Sequence, residues 1–156
     1  MSVLNRQAVP ESFLHETEGF DREFEEALVV LLGFPLLTVD ASQKHFSMHR
    51  MVQLASKKWL ESRNEMRLAS EWCLRRMSEQ FLLGTYENRA KCAELVPHVE
   101  PILNVVECDN KELRLLICTV YFNCAWYYST LGKYEVAETM NRRALEGREK
   151  ELGPTF

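Results

Sequence analysis

The sequence predicts a mainly α-helical protein whose first third carries a small two-stranded hairpin. Three observations lead there. From Met66 onward apolar residues recur at spacings of three and four, with no strand-like run among them. Between Phe34 and Ser47, two short apolar runs flank Asp40-Ala41-Ser42-Gln43-Lys44, which is turn chemistry. The stretch FSMHRMVQLASKKW, Phe46 to Trp59, reads as a short strand running straight into an amphipathic helix, and so marks the junction between the two architectures.

Composition narrows the function classes. The chain has 156 residues, enough for one ordinary domain or two small ones, and its 46% hydrophobic content supplies a core. The net charge of −4, with acids and bases interspersed, carries no electrostatic footprint for nucleic acid or anionic lipid. The longest near-apolar run, Ala27 to Val39, is broken by Gly33 and Pro35 and is too short to span a bilayer. The N-terminus lacks the basic-then-apolar layout of a signal peptide. Five cysteines, Cys73, Cys92, Cys108, Cys118 and Cys124, form no CxxC pair, so reduced thiols in the cytoplasm are expected rather than a disulfide framework. The four histidines, His15, His45, His49 and His98, do not complete a metal-ligand spacing with them, and no metal site is expected.

Taken in order, Pro10-Glu11-Ser12-Phe13-Leu14 predicts a short helix, with Pro at its first position. Asp21 opens a second, with Phe24, Ala27, Leu28 and Leu31 on one face and Gly33 placed to stop it in a left-handed cap. Phe34 to Val39 and His45 to Ser47 form the hairpin. In the helix that follows, Met48, Met51, Val52, Ala55 and Trp59 fall on one face. Helix, helix, two-stranded wing, helix is the outline of a winged helix. The helix that would enter the major groove begins Asp21-Arg22-Glu23-Phe24-Glu25-Glu26, and its four carboxylates against one guanidinium repel a phosphate backbone. DNA binding is therefore not expected.

Beyond it the pattern is helical throughout. Met66, Ala69, Trp72, Cys73 and Met77 make one apolar stripe; Cys92, Leu95, Val96, Val99, Ile102, Leu103 and Val106 make the next, where Pro97 and Pro101 predict a break or kink near Val96. Leu113, Leu116, Ile117, Val120, Tyr121, Cys124, Tyr128 and Leu131 mark a long helix opened by an Asp109-x-x-Glu112 capping arrangement. Ala137, Met140, Ala144 and Leu145 mark a last helix from about Tyr134 to Glu151, closed by Gly153-Pro154.

Tyr121-x-x-Cys124-Ala125-x-x-Tyr128, then Gly132-x-Tyr134-x-x-Ala137 and Ala144-Leu145, follow the tetratricopeptide pattern of large, small and aromatic positions. Ala125, Gly132 and Ala137 allow close helix approach, and Tyr128 and Tyr134 are expected to fill the space around them. Cys124 stands where Leu is usual and Asn141 where an aromatic is usual. The fold expected is thus mainly α: a partial winged helix (1–62), a helical linker of tetratricopeptide-like hairpins (63–108) and a single repeat (109–156) opening a right-handed array. About three repeats are normally needed to bury one another's faces, so the array reads as cut short.

In that order, LNRQAVPESFL, FEEALVVLLGFPLL, FSMHRMVQLASKKWLE, ELVPHVEPIL and GKYEVAETMNRRALEGREKELGP resemble the region between the nucleotide-binding module and the repeats of fungal NOD-like (STAND, NB-ARC) proteins. The repeats resemble the kinesin light chain type. The resemblance implies a signalling switch in which an ATPase module binds ADP or ATP, a winged helix holds the closed form, and repeats bind protein partners. It also implies a role for His49: the segment resembles the Met-His-Asp motif, whose His contacts the ADP phosphate, with Met48 packing behind it. Arg50 replaces the Asp of that motif. Since Met1 falls inside the resembling region, a truncated member is expected.

The sequence has no GxxxxGK[ST], no acidic strand end for magnesium and no Ser/His/Asp or Cys/His frame. No catalysis is expected, and no cofactor in this chain unless an upstream module brings ADP or ATP. The expected partners are a protein or peptide and an NB-ARC-type ATPase module in cis or in trans, with neither nucleic acid nor membrane. The alternative is a stand-alone adaptor: aligning Tyr121 with the first large repeat position points Phe122, Asn123 and Trp126 toward an inner groove, as a peptide platform or as core for a neighbouring repeat.

Overall fold

The computed structural model describes residues 3–14, 21–106 and 110–153, so His15, Cys108, Asp109 and Pro154 lie outside the described residues. Two units emerge, Met1–Met66 and Arg67–Phe156. The first contains β1 (Val9–Pro10), α1 (Glu11–Leu14), α2 (Asp21–Gly33), β2 (Leu37–Val39), β3 (His45–Met48) and α3 (Arg50–Ser62).

The sheet, expected as a two-stranded hairpin, has three strands among the described residues. The antiparallel order is β1-β3-β2, with Val9 opposite Phe46 and Leu37 opposite Met48. A two-residue strand containing proline carries no alternation to read, and Pro10 is tolerated because β1 is an edge. Backbone bonds from Glu11 N–H to the Lys44 carbonyl (2.8 Å) and from Met48 N–H to the Arg6 carbonyl (2.8 Å) extend the pairing. Phe46 and Met48 alternate inward on β3 and bury with Leu37, Val9, Leu4 and Phe13. Each such apolar side chain contributes about 1.5–3 kcal/mol on full burial.

Met48 therefore belongs to the sheet rather than to the α3 face. That helix is turned the other way: Met51 and Trp59 are 63% and 55% exposed, Ala55 is exposed too, and Val52, Gln53, Ser56, Lys57 and Leu60 are the half-buried positions. Gln53 Nε2 donates to the Leu4 carbonyl at 2.8 Å, so a polar bond rather than the apolar stripe orients the helix. Gly33 closes α2 with a negative φ, not in a left-handed cap; Phe34 and Leu36 N–H groups return to the Val30 and Leu31 carbonyls, and Phe34 is exposed outside the shortened strand β2.

Asp40 organises the β2–β3 turn. Its carboxylate accepts from the Ser42 hydroxyl (2.6 Å) and the amides of Lys44 and His45, and lies 3.0 Å from His45 Nδ1. These bonds, Ser42 first and then His45, hold its carboxyl well below the usual carboxylate range.

The second unit contains α4 (Met66–Gln80), α5 (Arg89–Val105), α6 (Lys111–Thr130) and α7 (Tyr134–Leu152). On α4 the buried stripe is Ser70, Cys73, Leu74 and Met77, continued by Phe81 just beyond the helix. Helix α5 runs through Pro97 and Pro101 unbroken. Each proline frees one carbonyl, at Ala93 and Pro97, and both those residues are exposed, while Cys92, Leu95, Val99 and Ile102 stay buried in register on the other side. The cap of α6 is Asn110, whose side-chain oxygen accepts from Leu113 N–H at 2.8 Å.

Helices α6 and α7 form an antiparallel hairpin. Its turn passes through Gly132 at φ +73°, and Arg114 closes the far end with a two-pronged pair to Glu151 at 2.6 and 3.0 Å. Ala125 of α6 and Ala137 and Ala144 of α7 are buried small residues of this hairpin. Gly147 lies at the contact between the two helices, since a Cβ there would overlap Cys118 Sγ. Tyr134, expected to fill space, is instead exposed.

Gly147→Ala removes a helix-interior glycine, a gain of about 1 kcal/mol on propensity alone, yet forces overpacking that typically costs about 1–3 kcal/mol. The expected net outcome is a destabilisation of up to about 2 kcal/mol in urea unfolding, relieved in the Gly147→Ala/Cys118→Ala pair; a stabilised single variant would contradict the close approach. For Asp40 the folded-state pKa is depressed, so its contribution is present above the unfolded carboxyl value of 3.8 and is lost as pH falls toward the folded value. Amide exchange at Lys44 and His45 is expected to rise across that acid window, and Asp40→Asn to abolish the dependence.

Candidate functional site

His49 sits between β3 and α3 as the N-cap of the helix, with extended backbone at φ −61° and ψ 138°. Its N–H points to the Leu36 carbonyl (3.4 Å), its carbonyl accepts from Gln53 N–H (3.0 Å), and its ring Nδ1 accepts from Met51 N–H at 3.3 Å. A neutral imidazole accepting at Nδ1 carries its proton on Nε2, so the second ring nitrogen is a donor. The ring is exposed, no acidic residue lies in the first turn of α3, and Arg50 follows directly. Donor, helix N-terminus and guanidinium all favour an anion. His49 itself caps the helix, and Arg50 is its first residue.

The three residues predicted to line a groove on α6 do not act together. Phe122 and Trp126 border one shallow depression of about 440 Å³ with Ser129, Thr130 and Asn141. Trp126 is 49% exposed, and the Arg148 guanidinium lies 5.3 Å from the Phe122 ring centre. Asn123 is turned inward: it is buried, and its amide donates to the Phe81 carbonyl at 2.7 Å. That bond ties α6 to the segment after α4, where Phe81 also meets Tyr127 edge-to-face at 6.5 Å. Ser129 and Thr130 were missed, although helical spacing from Phe122 and Trp126 could have found them; Asn141 comes from α7, which spacing along α6 does not reveal.

The four described cysteines, Cys73, Cys92, Cys118 and Cys124, are buried, and none of them is joined in a disulfide. Burial pushes the Cys73 thiol up to about 11 and Cys124 to about 12, and raises Cys92 as well. At neutral pH these three are uncharged packing groups rather than nucleophiles. Among the described residues no group of three or more His, Cys, Asp or Glu is placed to hold a metal ion, and no helix is long and apolar enough to cross a membrane.

The class defined by these features is a two-unit, mainly helical chain with a small three-stranded antiparallel sheet. Along nearly its whole length it is similar to a fungal protein: it is 32% identical over 156 residues, 98% of the chain, to a protein of Hyaloscypha variabilis described as a nucleotide-binding leucine-rich repeat (NLR)-like protein. The chain spans 15% of that relative's length. No family model and no solved structure matches it.

The two aromatic and amide positions separate in a stability measurement. Asn123→Ala leaves the Phe81 carbonyl without its donor in a buried place, an expected loss of about 1–3 kcal/mol. Trp126→Ala is expected to cost about 0.5 kcal/mol or less, as surface changes do. Equal losses in chemical denaturation would show that Trp126 is core.

Proposed function

We propose that this chain is the non-catalytic regulatory and protein-interaction segment of an NLR-type signalling switch. The observation that carries the reading is His49, a helix cap whose outward ring nitrogen is a donor, at the strand-to-helix junction where the family resemblance puts a phosphate sensor. Similarity to an NLR-like protein along 98% of the chain supports the same reading. The first unit is then a partial winged helix that restrains the nucleotide state, and the second a tetratricopeptide-like array that binds protein. ADP or ATP would come with a nucleotide-binding module in cis or in trans, and none is a cofactor of this chain alone. We place the protein in the cytoplasm, on the strength of four described cysteines that are buried outside any disulfide.

A switch of this kind needs a ligand that contacts one state more strongly than the other by a few kcal/mol. A hydrogen bond from His49 Nε2 to a charged phosphate oxygen contributes about 1.5–3 kcal/mol, which is of that order. The alternative reading, a stand-alone adaptor, rests on the depression beside Phe122 and Trp126. It predicts a bound peptide whose affinity falls on Trp126→Ala with helicity unchanged.

The first reading is tested in a protein that carries this chain together with a nucleotide-binding module. His49→Ala removes both cap and donor, and is expected to weaken ADP about tenfold or more while lowering stability by about 1 kcal/mol. His49→Asp restores a cap acceptor but offers no donor, so stability should recover and ADP affinity should not. Unchanged ADP affinity in both variants would remove the sensor role.

A further inference from the structure

Away from the depression on α6, the second unit holds a pocket of about 410 Å³ between α5, α6 and α7. Val99 and Leu103 of α5 and Val136 and Met140 of α7 form apolar walls, and Tyr121, Cys124 and Tyr128 of α6 form the side between them. That volume lies in the lower part of the range of about 300–1,000 Å³ typical of small-molecule sites.

Two charged residues line the pocket, and they differ. The Arg143 guanidinium lies 5.7 Å from the Tyr121 ring centre. Arg75, Arg114 and Arg142 each pair with a carboxylate, of Glu112, Glu151 and Glu138, whereas Arg143 makes no ion pair among the described residues. The aromatic contact holds the guanidinium without consuming its N–H donors, which suit the two oxygens of a carboxylate. Glu100 lines the same pocket. The pocket therefore combines a guanidinium that makes no ion pair, one carboxylate and apolar walls.

We propose that this pocket binds a small amphipathic monocarboxylate, with its head on Arg143 and its hydrocarbon or aryl body along the apolar walls. Glu100 in the same lining disfavours a second carboxylate, which would meet like charge. The site is independent of the His49 reading and of the Phe122–Trp126 depression.

The test titrates the full chain with decanoate below its micellar concentration, and with decan-1-ol, decylammonium and decanedioate, by isothermal calorimetry. Decanoate is expected to bind about tenfold or more tightly than each of the other three, the difference of one charge-assisted contact. Arg143→Gln should erase that preference, Met140→Trp should block decanoate by filling the pocket, and Arg142→Gln, whose residue pairs with Glu138, should leave binding unchanged. No decanoate binding, equal binding of decan-1-ol, preference for decylammonium, or a preference that survives Arg143→Gln would each overturn the proposal. Because Arg143 is exposed, its variant is expected to fold, and unchanged urea unfolding verifies that.

Discussion

Close approach of α6 to its surroundings is the constraint on which the second unit depends. Leu113, Cys118, Val120, Asn123, Cys124, Ala125 and Tyr127 are all buried on that one helix, spread around its circumference rather than along a single stripe. On the α7 side only small groups fit, as Gly147 against Cys118 makes plain. On the opposite side the backbone at Gly84 lies so near that a Cβ there would stand 2.8 Å from Tyr127 Cα. A helix enclosed in this way must satisfy any polar group it buries, and Asn123 does so by donating to the Phe81 carbonyl. The same enclosure explains why Tyr127 is core while Trp126, one residue earlier, faces outward.

In the first unit a single residue joins the central strand to the helix that follows it. His49 ends the central strand, starts α3, and leaves a ring donor outside. If it also meets a phosphate, folding and signalling share one imidazole, and the two roles separate only through substitutions that keep an acceptor for Met51 N–H while removing the donor. Arg50 in place of an acidic residue fits this division, since a carboxylate there would compete with an anion for the helix N-terminus.

Helices α2, α4, α6 and α7 were legible because their apolar periodicity is long and their ends carry Gly or turn residues; for α5 the apolar stripe was legible but its continuity past Val96 was not. Periodicity also identified the residues sharing a face of α3, but not which face would be covered: Met51 and Trp59 share one and stand exposed, while Gln53 turns the other side inward. The short strand β1 left no pattern, because two residues cannot alternate and one is proline. The unbroken α5 shows tertiary burial of Cys92, Leu95, Val99 and Ile102 outweighing two lost amide donors. Asn123 looked like a groove ligand by its position, and only the carbonyl 42 residues earlier reveals its bond as internal. His49 and Trp126 were legible as exposed chemistry; the pocket under Arg143 was not, because its walls come from three helices.

Four cysteines report on the core of the second unit: Cys73 on α4, Cys92 on α5, and Cys118 and Cys124 on α6. A brief iodoacetamide pulse on the native chain, followed by peptide mapping, reads all of them in one experiment. If α4 to α7 enclose a common core, all four stay unmodified until denaturant unfolds the unit, then react together. Rapid labelling of Cys73 or Cys92 in the native protein, with Cys118 and Cys124 protected, would mean that the α6–α7 hairpin stands without α4 and α5, and the account would fail.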